Sequence, residues 1–174
     1  MSQEKRPFCS RLPRWLLEAF VLFAIILALR AWHAPKMTGE ILPRLAGQTL
    51  TGQEVDTAAL AGQGFIVHIW GSWCPVCRME LSGMARLARD VPVVSIAWRS
   101  GDDAAVRAFL AGEGVKLPVI NDPDGRLVAG FGVKGVPLHL VVDGAGRIRF
   151  IETGYTTSWG LKARLWWAKR VSAR

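Results

Sequence analysis

The chain has 174 residues, of which 51% are hydrophobic, and a formal net charge of +8; that is enough for one globular domain with roughly 30–40 residues to spare. Its three cysteines are too few for a disulfide-stapled scaffold. The basic excess sits at the two ends, while residues 33–161 carry 12 basic and 12 acidic side chains, which excludes the broad basic face of a nucleic-acid-binding fold, so no nucleic-acid partner is expected.

Residues 1–14 form a basic tail with Lys5, Arg6, Arg11 and Arg14, and Cys9 stands alone within it. Residues 15–32 read WLLEAFVLFAIILALRAW, where Glu18 and Arg30 are the only charges and a tryptophan marks each end. At 1.5 Å per residue this run reaches roughly 27 Å, just the depth of a bilayer core. A cleaved signal peptide is the alternative, but no pair of small residues stands at the right places for cleavage, so the segment reads as a retained transmembrane helix. The positive tail then stays in the cytoplasm, and the rest of the chain lies outside the bacterial cytoplasmic membrane, where disulfides persist.

Residues 33–41, with Pro35 and Gly39, read as a linker, and residues 42–174 as the folded domain. Residues 42–56 suggest a strand or hairpin, and FIVHIW at 65–70 a buried strand. The apolar spacing from Met79 to Ala88 predicts a helix that opens after Cys74, with Pro75 at its first position. A second buried strand is expected at 91–98, a helix at 102–111 ended by Gly112, and an extended piece at 117–120 before the turn 121–125. Residues 138–142 and 147–151 flank Asp143-Gly144-Ala145-Gly146 as an antiparallel hairpin, and a last helix covers 158–170. The class predicted is α/β, with a mixed central sheet and helices on both faces.

Chemistry should be sought at Cys74-Pro75-Val76-Cys77. A disulfide exchanger needs one exposed thiol to attack and a second within a helical turn to expel the partner. Cys74, as the helix cap, faces free backbone N–H groups and the positive end of the helix dipole, which favour its thiolate; Cys77 lies one turn inside and is shielded. A zinc half-site also begins with Cys-x-x-Cys, but no second pair follows and the histidines are His33, His68 and His139, so no metal is expected. No cofactor is expected beyond a redox-active Cys74–Cys77 disulfide. The competing reading from another class is a copper carrier, with Cys74, Cys77 and His139 as soft ligands.

Gly71-Ser72-Trp73-Cys74-Pro75-Val76-Cys77 after an apolar strand, with Gly135-Val136-Pro137 opening another strand some sixty residues on, resembles the thioredoxin superfamily, in particular its membrane-tethered TlpA-like branch. The resemblance covers about residues 42–170. It implies a thioredoxin-like fold, a cis bond before Pro137, and a partner chain seated by Val136, Pro137, Trp73, Pro75 and Val76. It also implies extracytoplasmic thiol or disulfide proteins as partners, a transmembrane electron donor, and reduction as the working direction. Arg99-Ser100-Gly101-Asp102-Asp103, Asn121-Asp122-Pro123 and the tail from Ser158 to Lys169 resemble the narrower suppressor-of-copper-sensitivity D family, which is linked to copper tolerance. Leu138-His139 departs from it, since most relatives carry threonine after the proline.

Three features keep two readings. Glu80, one helical turn after Cys77, is either a buried acceptor for that thiol's proton or a solvated glutamate. His139 either approaches the cysteines or sits hydrogen-bonded at the sheet surface, and His68 reads as a satisfied core histidine. The tail SWGLKARLWWAKR either lies on an anionic membrane or packs an apolar stripe on the sheet.

Overall fold

The computed structural model describes residues 14–32 and 40–172. The tail with Cys9, and the linker as far as residue 39, lie outside the described residues. The chain divides into two compact units, Met1–Lys36 and Met37–Arg174. In the first, Arg14–Trp32 forms helix α1. Among the described residues no helix is long and apolar enough to cross a membrane; residues 14, 17 and 26–32 of α1 are described as backbone only.

The second unit runs β1 (Ala46–Gln48), β2 (Glu54–Asp56), β3 (Phe65–Trp70), α2 (Pro75–Asp90), β4 (Val93–Trp98), α3 (Asp103–Gly112), β5 (Val119–Asp122), β6 (Leu138–Val142), β7 (Ile148–Thr153) and α4 (Ser158–Ser172). Strands β1 and β2 pair as the small hairpin expected near the start. The other five form one sheet in the order β5-β4-β3-β6-β7. Strands β5, β4 and β3 are parallel, whereas β6 and β7 run antiparallel, which gives the mixed sheet predicted.

Every residue of β3 is buried, as a central strand covered on both faces requires. Ile66 and Trp70 point into one apolar cluster with Leu81, Met84, Val106, Leu110, Leu161 and Leu165. Phe65, Val67 and Ile69 point into a second cluster with Leu42, Leu45, Val128 and Phe131. Helices α2, α3 and α4 thus all serve the first face, and the second is closed by the N-terminal segment and two short 3₁₀ turns, Thr57–Leu60 and Ala129–Phe131. The expectation of helices on both faces is corrected accordingly. The cause is topological: β3-α2-β4 and β4-α3-β5 step the same way across the sheet, and right-handed crossovers taken in one direction land on one side.

Helix α4 buries Leu161, Leu165 and Ala168 against the sheet, the apolar stripe of the packing alternative. Its tryptophans turn outward, with Trp159 83% exposed, and Arg170 stacks on Trp166 at 3.7 Å. Lys162 and Arg164 are spent on Asp90 and Glu152, each at 2.7 Å.

Candidate active site

Helix α2 begins where the sequence places it, because Cys74 takes an extended backbone (φ −95°, ψ 112°) and its sulfur accepts the Cys77 N–H at 3.2 Å. One of the helix's free donors is thereby satisfied by the cap, and Pro75 has no N–H to satisfy. The turn before it is held by Cys74 N–H donating to the Gly71 carbonyl at 3.1 Å. That turn is docked on the end of β4: Ser72 N–H donates to Ser100 Oγ at 2.9 Å, and Trp73 Nε1–H to the Arg99 carbonyl at 3.1 Å. Arg99 has φ +49°, which aims its carbonyl toward this contact from the tight end of the strand.

The Trp73 indole lies over Gly71 so closely that a Cβ there would meet ring atoms at 2.6 and 2.7 Å. Gly71→Ala should therefore displace the ring and destabilise the fold by about 1–3 kcal/mol. An unshifted Trp73 indole N–H resonance in the variant would contradict this account.

Both cysteines are free thiols. Cys77 is fully buried; burial pushes its thiol well above the ordinary range, and the Cys74 sulfur and the Glu80 charge push it further. Cys74 is only 4% exposed, which corrects the expectation of an open attacking thiol. It is roofed by the Val136 carbonyl, to which its Sγ–H can donate at 3.5 Å, and it joins the apolar cluster beneath α2. The Val136–Pro137 bond is cis, as expected. Around this covered thiol the surface is apolar: Trp73, Val76 and Met79 are 56%, 37% and 71% exposed.

Behind the cysteines lies a buried polar trio. Glu80 is 4% exposed, and its Oε1 stands 3.2 Å from His68 Nε2 and 3.0 Å from His139 Nε2. Its Oε2 accepts the Thr156 N–H at 3.2 Å. The solvated-glutamate alternative is thus removed, and so is a surface position for His139, which like His68 is wholly buried. Burial alone would raise the Glu80 carboxyl, but the two imidazoles outweigh it and hold the group down at about 2. Burial likewise lowers His68 to about 4, against the pull of Glu80. His68 is the satisfied core histidine expected, with Ser95 Oγ 3.4 Å from its Nδ1.

The three ligand-type atoms of His68, Glu80 and His139 lie within 4.8 Å of one another. The imidazole rings are 8° from parallel with centroids 5.1 Å apart, and Glu80 Oε1 stands between their two Nε2 atoms at 3.2 and 3.0 Å. The trio is a buried cluster of one carboxylate and two imidazoles. Its spacing was hidden in the sequence, because His68 and His139 meet only through the pairing of β3 with β6.

The redoxin family model matches residues 33–162. A thioredoxin-like protein of Haemophilus influenzae is 28% identical over 88% of this chain and 92% of its own length. The thiol:disulfide interchange protein DsbE of Pseudomonas aeruginosa is 30% identical over 76% of this chain and 78% of its own. A crystal structure of a thioredoxin-family thiol:disulfide interchange protein from Chlorobium tepidum shares the fold, with a TM-score of 0.65 at 23% identity over 77% of this chain and 99% of that one. With its Cys-x-x-Cys pair capping α2, the chain belongs to the redoxin family, in the thioredoxin superfamily, as a thiol:disulfide oxidoreductase of the DsbE/ResA type.

Proposed function

We propose that the protein exchanges disulfides with other proteins outside the cytoplasmic membrane, with Cys74 as the attacking and Cys77 as the resolving thiol. The observation that carries this is the cap itself: one sulfur accepts a backbone N–H at the helix start while the second is buried a turn within. The partner's cysteine enters over the apolar rim of Trp73, Pro75 and Val76 and beside the Val136-Pro137 backbone. Glu80 receives the Cys77 proton when that thiol attacks the mixed disulfide.

An anchor through residues 15–32 is part of the same reading, supported by an 18-residue run charged only near its ends and preceded by four basic residues. Reduction of partners is the direction we favour, with a transmembrane electron donor restoring the dithiol. The place in copper tolerance rests on the narrower resemblance of the 99–103, 121–123 and 158–169 segments.

Cys77→Ser should leave attack intact and cripple release, so mixed disulfides with natural partners accumulate through Cys74. Cys74→Ser should trap nothing. Each variant is expressed in its native envelope, thiols are quenched with acid and alkylator, and reducible adducts are compared on a gel. Adduct-free patterns for both would remove exchange as the function; adducts from Cys74→Ser alone would reverse the two roles.

A further inference from the structure

Among the described residues, the buried side-chain atoms left without a hydrogen-bond partner are Asn121 Oδ1 and both ring nitrogens of His139. His139 Nε2 lies 3.0 Å from Glu80 Oε1 without a well-directed hydrogen bond, and Nδ1 has no hydrogen-bond partner. Orphaned buried nitrogens are costly and rare.

His68 is the contrast. Trp70 Nε1–H donates to Ser95 Oγ at 3.0 Å, which leaves the serine hydroxyl hydrogen free for His68 Nδ1. Nδ1 is then the acceptor, so Nε2 carries the hydrogen and donates it to Glu80 Oε1 at 3.2 Å. Its tautomer is fixed and its ring neutral. Glu80, for its part, takes the His68 and Thr156 donors as a carboxylate. It is a good conduit for a proton and a poor place for one to stay.

We propose that His139 holds the proton that Cys77 gives up during resolution, received by way of Glu80. This rests on the exchange reading above and adds the residue on which the proton comes to lie. In the step, Cys77 Sγ–H yields its proton to Glu80, which passes it to His139 and returns to a carboxylate. The Cys77 thiolate attacks Cys74 Sγ, the Cys74–partner S–S bond breaks, and the Cys74–Cys77 bond forms. The partner's sulfur leaves with the electron pair and is protonated from solvent, so the two electrons lost by the cysteine pair end on the partner. Reduction of the Cys74–Cys77 disulfide by an external dithiol returns the proton to Cys77.

The charged and titratable groups facing His139 fit this role. From α2 come Cys77 and Glu80, and from β3 His68, its direct partner in register. From β7 comes Glu152, which stands opposite His139 and is paired with Arg164 of α4. Glu80 Oε1 stands 3.0 Å from His139 Nε2, and Glu152 keeps 30% of its side chain exposed.

The test follows the reduced full-length protein in detergent micelles, with Cys9→Ser in every version so that only the pair reports, as it reacts with dithiobis(nitrobenzoate), which releases one coloured thiolate when Cys74 attacks and a second when Cys77 resolves. For His139→Gln, which keeps hydrogen-bonding groups but cannot hold a proton near neutrality, the first phase should stay within about 2-fold of wild type. The second should slow by about 100-fold at pH 7 and rise about tenfold per pH unit as hydroxide replaces the lost acceptor. A His139→Gln second phase with the wild-type rate and pH profile overturns the inference alone, and so does equal slowing of both phases, which marks a structural role. A wild-type protein that releases no second thiolate overturns the exchange reading with it.

Discussion

Acidification from pH 7 to pH 4 should remove about 3 kcal/mol of stability from the domain, and most of that loss should trace to His68. The imidazole is wholly buried, and burial brings it from its ordinary 6.5 to about 4. Because the folded state resists protonation where the unfolded chain accepts it, the stabilisation is complete above pH 6.5 and is lost as pH falls toward 4. Glu80 acts in the next window: ordinarily at 4.5 and held at about 2, its contribution is complete above pH 4.5 and disappears toward pH 2. Urea unfolding at half-unit intervals, read by far-UV circular dichroism, should show a fall that begins near pH 6.5, well above the usual carboxylate range. His68→Asn should flatten the curve between pH 6.5 and 4.5 and shrink the lower limb without abolishing it, because His68 is one of two imidazoles that hold Glu80 down. A wild-type stability that is level from pH 7 to pH 5 would mean that His68 is not buried as a neutral ring.

Features that depend on neighbours in the chain were legible in the sequence. The run 65–70 is continuous apolar and β-branched and forms β3 with those bounds; Cys74 and Pro75 announced the start of α2, and Asp143-Gly144-Ala145-Gly146 the β6–β7 turn. In that turn the buried Asp143 carboxylate accepts the Ala145 and Arg147 N–H groups, each at 2.9 Å, as a turn aspartate does. Features created by pairing across distance were not legible. The cover over Cys74 comes from Val136, 62 residues away, and the partner of Glu80 on β6 depends on that strand inserting beside β3 rather than at an edge. Alternation did put His68 and His139 each on a definite face of its strand. It could not say that the two strands were neighbours, still less that the residues stood in register.

Glu80→Ala should cost about 3–5 kcal/mol, because it takes away the shared acceptor of the His68 ring and the Thr156 N–H and the carboxylate 3.0 Å from His139 Nε2 in a dry site. The companion variant is more informative. Replacing all three side chains with leucine, as E80L/H68L/H139L, removes the polar groups together, and apolar substitution of a complete buried polar cluster is often neutral or stabilising. The triple variant should therefore recover most of the stability lost in Glu80→Ala, short of the penalty for the one Thr156 N–H still without an acceptor. Its chemistry should not recover. Attack through Cys74 depends on the helix cap, which the substitutions leave alone, whereas resolution through Cys77 loses every nearby proton acceptor. Equilibrium unfolding at pH 7 and the two-phase thiolate assay, run on the same preparations, separate these effects. A triple variant as unstable as Glu80→Ala would make the trio a structural requirement of the fold, and one that resolves at the wild-type rate would show that the Cys77 proton leaves by another route.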